Sequence, residues 1–413
     1  MRVEDASLMD PKIQENPFAY YRALHEQAPV YEMPDTGFFL VGGYEELRYV
    51  IDHPEIWSND IGRYTGSSMF QSPDADALLE NEGWKRDTRL QSDPPDHQNY
   101  RSIVAKAFTA GRIKKLAPFV EDLVTKQVDA LPDASTCEFM SDFAAGVPIA
   151  VITKLLGLPP EDAPKIKHWS DVWVEPLSYG LPPKREIEVA RLGVELQQYL
   201  AAWMKKKRDS PEQDVLTELE LATFPDGTPL PIGERIGIAE HLIVGGHETA
   251  SSALGSGLML LGQRPEVEAS LRKDASLIRP FVEEVLRLES PSQGFFRYAV
   301  RDGEVGGVVI PKGSMVHVRF AAANRDPRQF KNPDKLDLYR KNAATHMAFS
   351  TGVHHCIGAP LARLELQTAF RVLLERWESF ELLPENTFEH LPGLSLRTLK
   401  KLHIRYQLTE KSE

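Results

Sequence analysis

The sequence predicts a mainly α-helical protein with a smaller β region, and three observations carry that reading. Beyond Pro95, apolar residues recur at helical spacing over one long segment after another. β-Forming residues gather in only a few short stretches, chiefly near the N-terminus. No strand–helix–strand alternation runs along the chain, which argues against a doubly wound parallel sheet.

Each element has its own warrant. Residues 16–26 place Phe18, Tyr21 and Leu24 on one helical face. Residues 30–41 hold β-formers around Pro34, Asp35, Thr36 and Gly37, a turn signal that predicts a hairpin. A short helix follows over 44–51. Residues 58–92 carry weak periodicity and many Gly, Ser, Asp and Pro, which predicts a long functional loop. Pro94 and Pro95 close it, with Asp96 as N-cap of the next helix. Helices are predicted over 97–108, 113–130, 139–156, 185–208, 214–221 and 232–261. Residues 313–320 alternate like a strand, 360–377 read as an amphipathic helix, and 400–406 as extended chain. With no internal repeat, this predicts a single domain over 1–413, with a β-rich part over 1–95 and a helical part over 96–413.

Composition narrows the function. The 413 residues include 60 acidic and 48 basic ones, a formal net charge of −12. General nucleic-acid binding needs clustered cations, so no nucleic-acid partner is expected. Cys137 and Cys356 are too few for a disulfide framework. The first residues lack the apolar stretch of a signal peptide. No run reaches the roughly 18–20 apolar residues of a membrane span; residues 143–152 are broken by Pro148. The expectation is a cytoplasmic, monomeric protein with no membrane contact.

The sharpest local feature surrounds Cys356. Gly352 and Gly358 flank it, and Pro360 opens a helix whose Leu361, Leu364, Leu366, Ala369, Phe370 and Leu373 bury one face. A thiol before a helix N-terminus is biased toward thiolate, and glycines let a flat partner approach the backbone. Such a thiolate could be a nucleophile, a zinc ligand or a haem ligand, against the bland alternative of a small buried hydrophobe. Zinc would draw on His346, His354, His355 and Cys356, but adjacent residues alternate in direction and cannot all converge on one tetrahedral ion. A cysteine protease would need a His and an orienting Asn or Asp, which sequence alone leaves open.

Four further motifs accompany this loop, in order. Asp93 through Arg101 puts His97 and Arg101 at i, i+4 on one helix face. Gly245 and Gly246 lie within the 232–261 helix, followed by His247, Glu248 and Thr249; each mid-helix glycine costs about 1 kcal/mol against alanine, so something must justify them. Glu284 and Arg287 stand at i, i+3, which alone usually means a surface ion pair. Arg297 follows Phe295 and Phe296.

Together these residues resemble the cytochrome P450 family, whose cysteine loop reads Phe-x-x-Gly-x-His-x-Cys-x-Gly and is filled here by Phe349, Gly352, His354, Cys356 and Gly358. The resemblance spans essentially the whole chain. It implies the P450 fold, with a long central helix over a haem b, Cys356 as the axial ligand of the iron, and haem contacts from His97, Arg101, Gly245, Arg297, Phe349, Gly352, His354 and Gly358. Glu248 and Thr249 match the family's acid–alcohol pair, which supplies protons for cleavage of O2. Glu284, Arg287 and Arg340 match its buried structural triad. It also implies a haem-thiolate monooxygenase that takes electrons from NAD(P)H through separate partners, a ferredoxin reductase and a ferredoxin. Arg112, Lys114 and Lys115 are the basic docking candidates. The substrate expected is a neutral hydrophobic molecule: a terpenoid, a steroid, an alkyl aromatic or a macrolide-like compound. Candidate contacts are Met69, Phe70, Val244, Phe295, Phe296 and Leu396, with Gln293 and Arg63 as polar options and residues 173–181 as a lid. The competing readings are a peroxide-using haem enzyme, a non-catalytic haem-binding protein and a zinc protein.

Overall fold

The computed structural model describes residues 1–66, 70–85, 89–131, 136–177 and 181–409. Met69, named above for the pocket, and residues 178–180 of the expected lid lie outside them. The chain is mainly helical with smaller sheets, and it divides into two compact units. The first comprises Met1–Trp57, Ile113–Pro148 and Thr249–Glu413; the second comprises Ser58–Arg112 and Ile149–Glu248. The helix Ile232–Gly262 contains the dividing point, between Glu248 and Thr249.

In the first unit the predicted hairpin forms. Strands Val30–Glu32 and Phe39–Val41 pair antiparallel in the register Val30↔Val41 and Glu32↔Phe39. The sheet is not local to the N-terminal part, however. Phe39–Val41 runs parallel to Met315–Val318, which pairs antiparallel with Phe295–Ala299, and Trp57–Ser58 completes five strands. Helices outnumber strands before residue 95, so the expected β-rich N-terminal part is replaced by a sheet gathered from distant segments. A period-2 strand shows two faces, and both are covered. Phe39, Val41, Val316 and Val318 join Trp57 and Phe320 in one cluster; Leu40 joins Tyr20, Tyr21 and Leu24 in another. Leu24 and Leu40 are fully buried, each contributing about 1.5–3 kcal/mol by leaving water.

Three other expectations change. Residues 139–156 are not one helix: a π-turn, Met140–Ala144, precedes the helix Gly146–Leu156, and Ala145 N–H donates to Met140 O five residues back. The 313–320 strand stops at Val318, and Phe320–Ala323 turns helical. The loop expected over 58–92 contains the helices Ile61–Thr65 and Pro73–Glu82, the latter opened by a proline in its first turn.

The second unit is built on the helix Pro183–Asp209. Its buried Glu186 accepts backbone N–H bonds from Gln71 and Ser72, and Gln197 bonds both the N–H and the carbonyl of Trp84. These two side chains pin the segment from Phe70 to Trp84 onto the helix. On the same helix Gly193 allows a close approach: a Cβ there would stand 2.3 Å from the Trp173 ring. Arg112, one of the basic docking candidates, pairs here with Glu218.

Candidate active site

In the first unit backbone hydrogen bonds fix the loop that carries Cys356. Phe349 O accepts the Cys356 N–H at 2.8 Å, and Gly352 O accepts that of His355 at 3.1 Å. Gly352 has φ +62°, in the left-handed region where a side chain is strained. A Cβ there would also lie 3.2 Å from Asp52 Oδ1. The helix Ala359–Arg376 begins at once, with Gly358 as its N-cap and Pro360 in its first turn. Cys356 is exposed, whereas Cys137 is buried and burial pushes its thiol up to about 12.

Two charged networks lie in the same unit. Glu284 accepts from Arg287 Nε and Nη2 at 2.6 and 2.9 Å, from Arg340 Nε at 3.0 Å and from the Asp337 N–H at 2.9 Å. Arg287 also donates to the carbonyls of Asn324, Pro333 and Lys335. Glu284 and Arg287 are wholly buried, and a charge so placed must be paired. The second network was not foreseen. Its Glu283 accepts from Arg363 Nε and Nη2 at 2.7 and 2.9 Å and from His346 Nε2 at 3.1 Å. Burial raises the Glu283 carboxyl, but His346 and Arg363 outweigh it and hold it at about 2. His346 Nδ1 accepts the Ala348 N–H, so Nε2 carries the proton and the buried ring is neutral. The Arg363 guanidinium lies 4.6 Å from the Phe349 ring centroid, joining this network to the residue whose carbonyl anchors Cys356.

His346 is therefore occupied elsewhere and cannot join a zinc site at Cys356. Among the described residues, the group whose donor atoms approach closely enough for a metal is Asp171, His247 and Glu248, with no cysteine.

Arg297 is buried on the strand Phe295–Ala299, and its Nη1 donates to Phe296 O at 2.8 Å. Strand alternation puts Phe295 on the face of Arg297 and Phe296 on the opposite one. Phe296 meets Phe38 and His317 edge-on, at 5.1 and 4.8 Å between centroids, and packs against both rings. Gln293, considered as a polar substrate contact, is likewise spent on Tyr21, Arg319 and the Ser290 carbonyl. Leu396 is half-buried and bridges to Ser292.

In the second unit His97 and Arg101 lie on the helix Asp96–Ala105. Asp96 is its first residue and does not cap it by side chain; Pro95 holds the cap position. Burial, then the neighbouring Arg101 charge, lowers His97 below the usual histidine value. Gly246 packs against Ile152, while a Cβ on Gly245 would meet nothing within 4 Å, so helix packing does not require that glycine. Glu248 hydrogen-bonds Asp171; burial, then the Asp171 charge and hydrogen bond, raises its carboxyl to about 7. Thr249 follows it in the helix, half-buried. Phe70 and Val244 belong to one apolar cluster with Trp173 and Leu181, and the Phe70 and Trp173 rings lie 6.2 Å apart.

Comparison with known proteins now decides the family. The Cytochrome P450 family model matches residues 177–405. Cytochrome P450 monooxygenase PikC of Streptomyces venezuelae is 34% identical over 416 residues, covering 98% of this chain and 94% of the relative. This chain belongs to the cytochrome P450 family. A second relative, 6-deoxyerythronolide B hydroxylase of Saccharopolyspora erythraea, is 31% identical, covering 88% of this chain and 89% of its own. The solved structure of cytochrome P450 CYP109Q5 from Chondromyces apiculatus superposes with a TM-score of 0.86 at 31% identity, covering 98% and 99%. The chain is accordingly a P450 monooxygenase in class, and among the described residues no helix is long and apolar enough to cross a membrane.

A P450 implies a haem, and the donor chemistry here fits one. Cys356 is an exposed cysteine, the ligand type of that family. A Cβ on Gly358 would meet only Cys356 Sγ, at 3.8 Å, so the loop leaves room for a flat ring. Arg297, Arg101 and His97 are side chains whose N–H groups suit carboxylates.

Proposed function

We propose that this P450 is a haem-thiolate monooxygenase that inserts one oxygen atom of O2 into a neutral, hydrophobic small molecule. The observation that carries the reading is the exposed Cys356, its N–H held by the Phe349 carbonyl just before the Ala359–Arg376 helix. A haem b held by Cys356 supplies the redox iron and the activation of O2. His97, Arg101, Arg297 and His354 bind its carboxylates; Phe349, Gly245, Gly352 and Gly358 shape the space for its ring. Glu248 holds a proton near neutral pH and passes it to the Thr249 hydroxyl, the role of a buried carboxyl with a raised pKa. Thr249 orders that proton toward the oxygen being reduced.

Phe70, Val244 and Phe295 contact the substrate, together with Leu396. The cluster around Phe70 is apolar, and the name of the S. erythraea relative points to a macrolactone. A macrolide-like compound is thus the leading class, with steroids, terpenoids and alkyl aromatics beside it. Electrons come from NAD(P)H through a ferredoxin reductase and a ferredoxin in the cytoplasm, docking at the exposed Lys114 and Lys115. The test is a spectral-shift screen of macrolactones, steroids and terpenoids against the ferric protein. A ligand-induced high-spin shift, then product formation that Thr249→Ala diverts to hydrogen peroxide, is expected. Full coupling in Thr249→Ala would overturn the proton role.

A further inference from the structure

The first unit carries a cleft of about 540 Å³, a volume that suits a small organic molecule. Every residue that lines it belongs to that unit, and none of them is among the candidate haem or substrate contacts. Four arginines and three carboxylates line it, and most of these charges are spent on one another. Glu289 lies 3.6 Å from Arg325 Nη2 and 3.3 Å from Arg397 Nε. Asp334 lies 2.7 Å from Arg325 Nη1 and 3.4 Å from Arg22 Nη1. Glu15 Oε1 is 2.7 Å from His390 Nδ1.

The fourth arginine, Arg264, differs from the others. It is half-buried, its Nη1 donates to the Leu260 carbonyl at 3.4 Å, and no carboxylate lies within 4 Å of it among the described residues. A partly desolvated cation without a counter-ion favours an anion beside it. The same cleft offers apolar surface. Met259 and Leu260 bring it from the end of the long helix Ile232–Gly262. Phe388 lines the cleft with its backbone at φ +54°. A bulky residue is strained in that left-handed region, and such outliers gather at ligand sites. Phe18 adds a further ring, with the Arg325 guanidinium 3.9 Å from its centroid.

We propose that this cleft is a second small-molecule site and binds an organic carboxylate, with Arg264 pairing with the carboxylate and Phe388, Met259 and Leu260 taking up the apolar body. The charges set the class. An uncharged apolar ligand leaves Arg264 without a counter-ion. An inorganic anion leaves the apolar wall unused, and a dianion meets the carboxylates of Glu15, Glu289 and Asp334 with added repulsion. A single carboxylate on an apolar chain brings the four arginines of the lining into balance with its acids. The proposal does not rest on the monooxygenase reading.

The test follows the methionine methyl groups of the ferrous carbonyl haem protein by NMR, with octanoate as the probe. The Met259 signal is assigned by its loss in Met259→Leu. Octanoate should shift that signal saturably, whereas octan-1-ol and inorganic phosphate at the same concentrations should leave it in place. Arg264→Glu should weaken octanoate binding about tenfold or more, and Phe388→Ala should weaken it several-fold. Should Arg264→Glu not fold, Arg264→Gln decides in its place. No Met259 shift with octanoate, an equal shift with octan-1-ol or phosphate, or unchanged affinity in the Arg264 variant that folds overturns the proposal.

Discussion

Replacing Glu284 by glutamine should be among the most damaging single-atom changes available to this protein. The carboxylate accepts four hydrogen bonds, two from Arg287, one from Arg340 and one from the Asp337 N–H. An amide of the same shape keeps one acceptor oxygen and turns its NH2 toward a guanidinium that can only donate. Arg287, wholly buried, keeps its bonds to three carbonyls but loses its counter-ion. Breaking a buried pair from one side costs about 3–5 kcal/mol, because the surviving charge stays desolvated. An exposed pair sets the contrast: Lys126 and Asp122, both more than half exposed, should yield about 0.3–0.5 kcal/mol in Asp122→Asn. The assay is urea unfolding of the two variants, comparing transition midpoints, since a chain with two units need not unfold in one step. The double variant Glu284→Gln/Arg287→Met should lose less than the sum of its parts by about 1 kcal/mol or more. A Glu284→Gln midpoint no lower than that of Asp122→Asn, or strict additivity in the double variant, would refute the reasoning.

Three further outcomes are expected. Glu365 is buried on the Ala359–Arg376 helix, its Oε2 has no hydrogen-bond partner among the described residues, and burial raises its carboxyl to about 8. A raised carboxyl stabilises the fold fully below its unfolded value and loses that contribution as pH rises through the folded one. Wild type should therefore lose up to about 1.4 kcal/mol per pH unit between roughly pH 4.5 and 8 relative to Glu365→Gln, measured by urea midpoints; parallel pH profiles would contradict this. Gly193→Ala places a methyl 2.3 Å from the Trp173 ring, so it should destabilise by about 1–3 kcal/mol despite alanine's better helix propensity; a raised melting temperature would contradict the contact. Reversing Lys114 and Lys115 to Glu should slow reduction by a ferredoxin, most at low salt, in stopped-flow measurements; a salt-independent rate equal to wild type would remove them from the docking surface.

How much of this was legible in the sequence depends on distance along the chain. The cysteine loop was, because a positive-φ glycine, a helix-opening proline and a ligand-type cysteine lie within a few residues. The long helix and the Glu284–Arg287 spacing were legible for the same reason. The meeting of Asp171 with Glu248 was not: Asp171 comes from another helix, and no local spacing marks it. Nor was the five-stranded sheet, whose hairpin is local but whose inner strands come from beyond residue 290. The Pro73–Glu82 helix was hidden because only Ala75 and Leu79 are buried, too few to establish a period.

The central claim is that Cys356 binds a haem iron as a thiolate, and one measurement reaches it directly. The absorption spectrum of the reduced carbonyl complex should show the band of thiolate ligation in the wild-type protein. Cys356→His should keep haem and lose that band. Its absence from wild type, or its persistence in Cys356→His, would contradict the account.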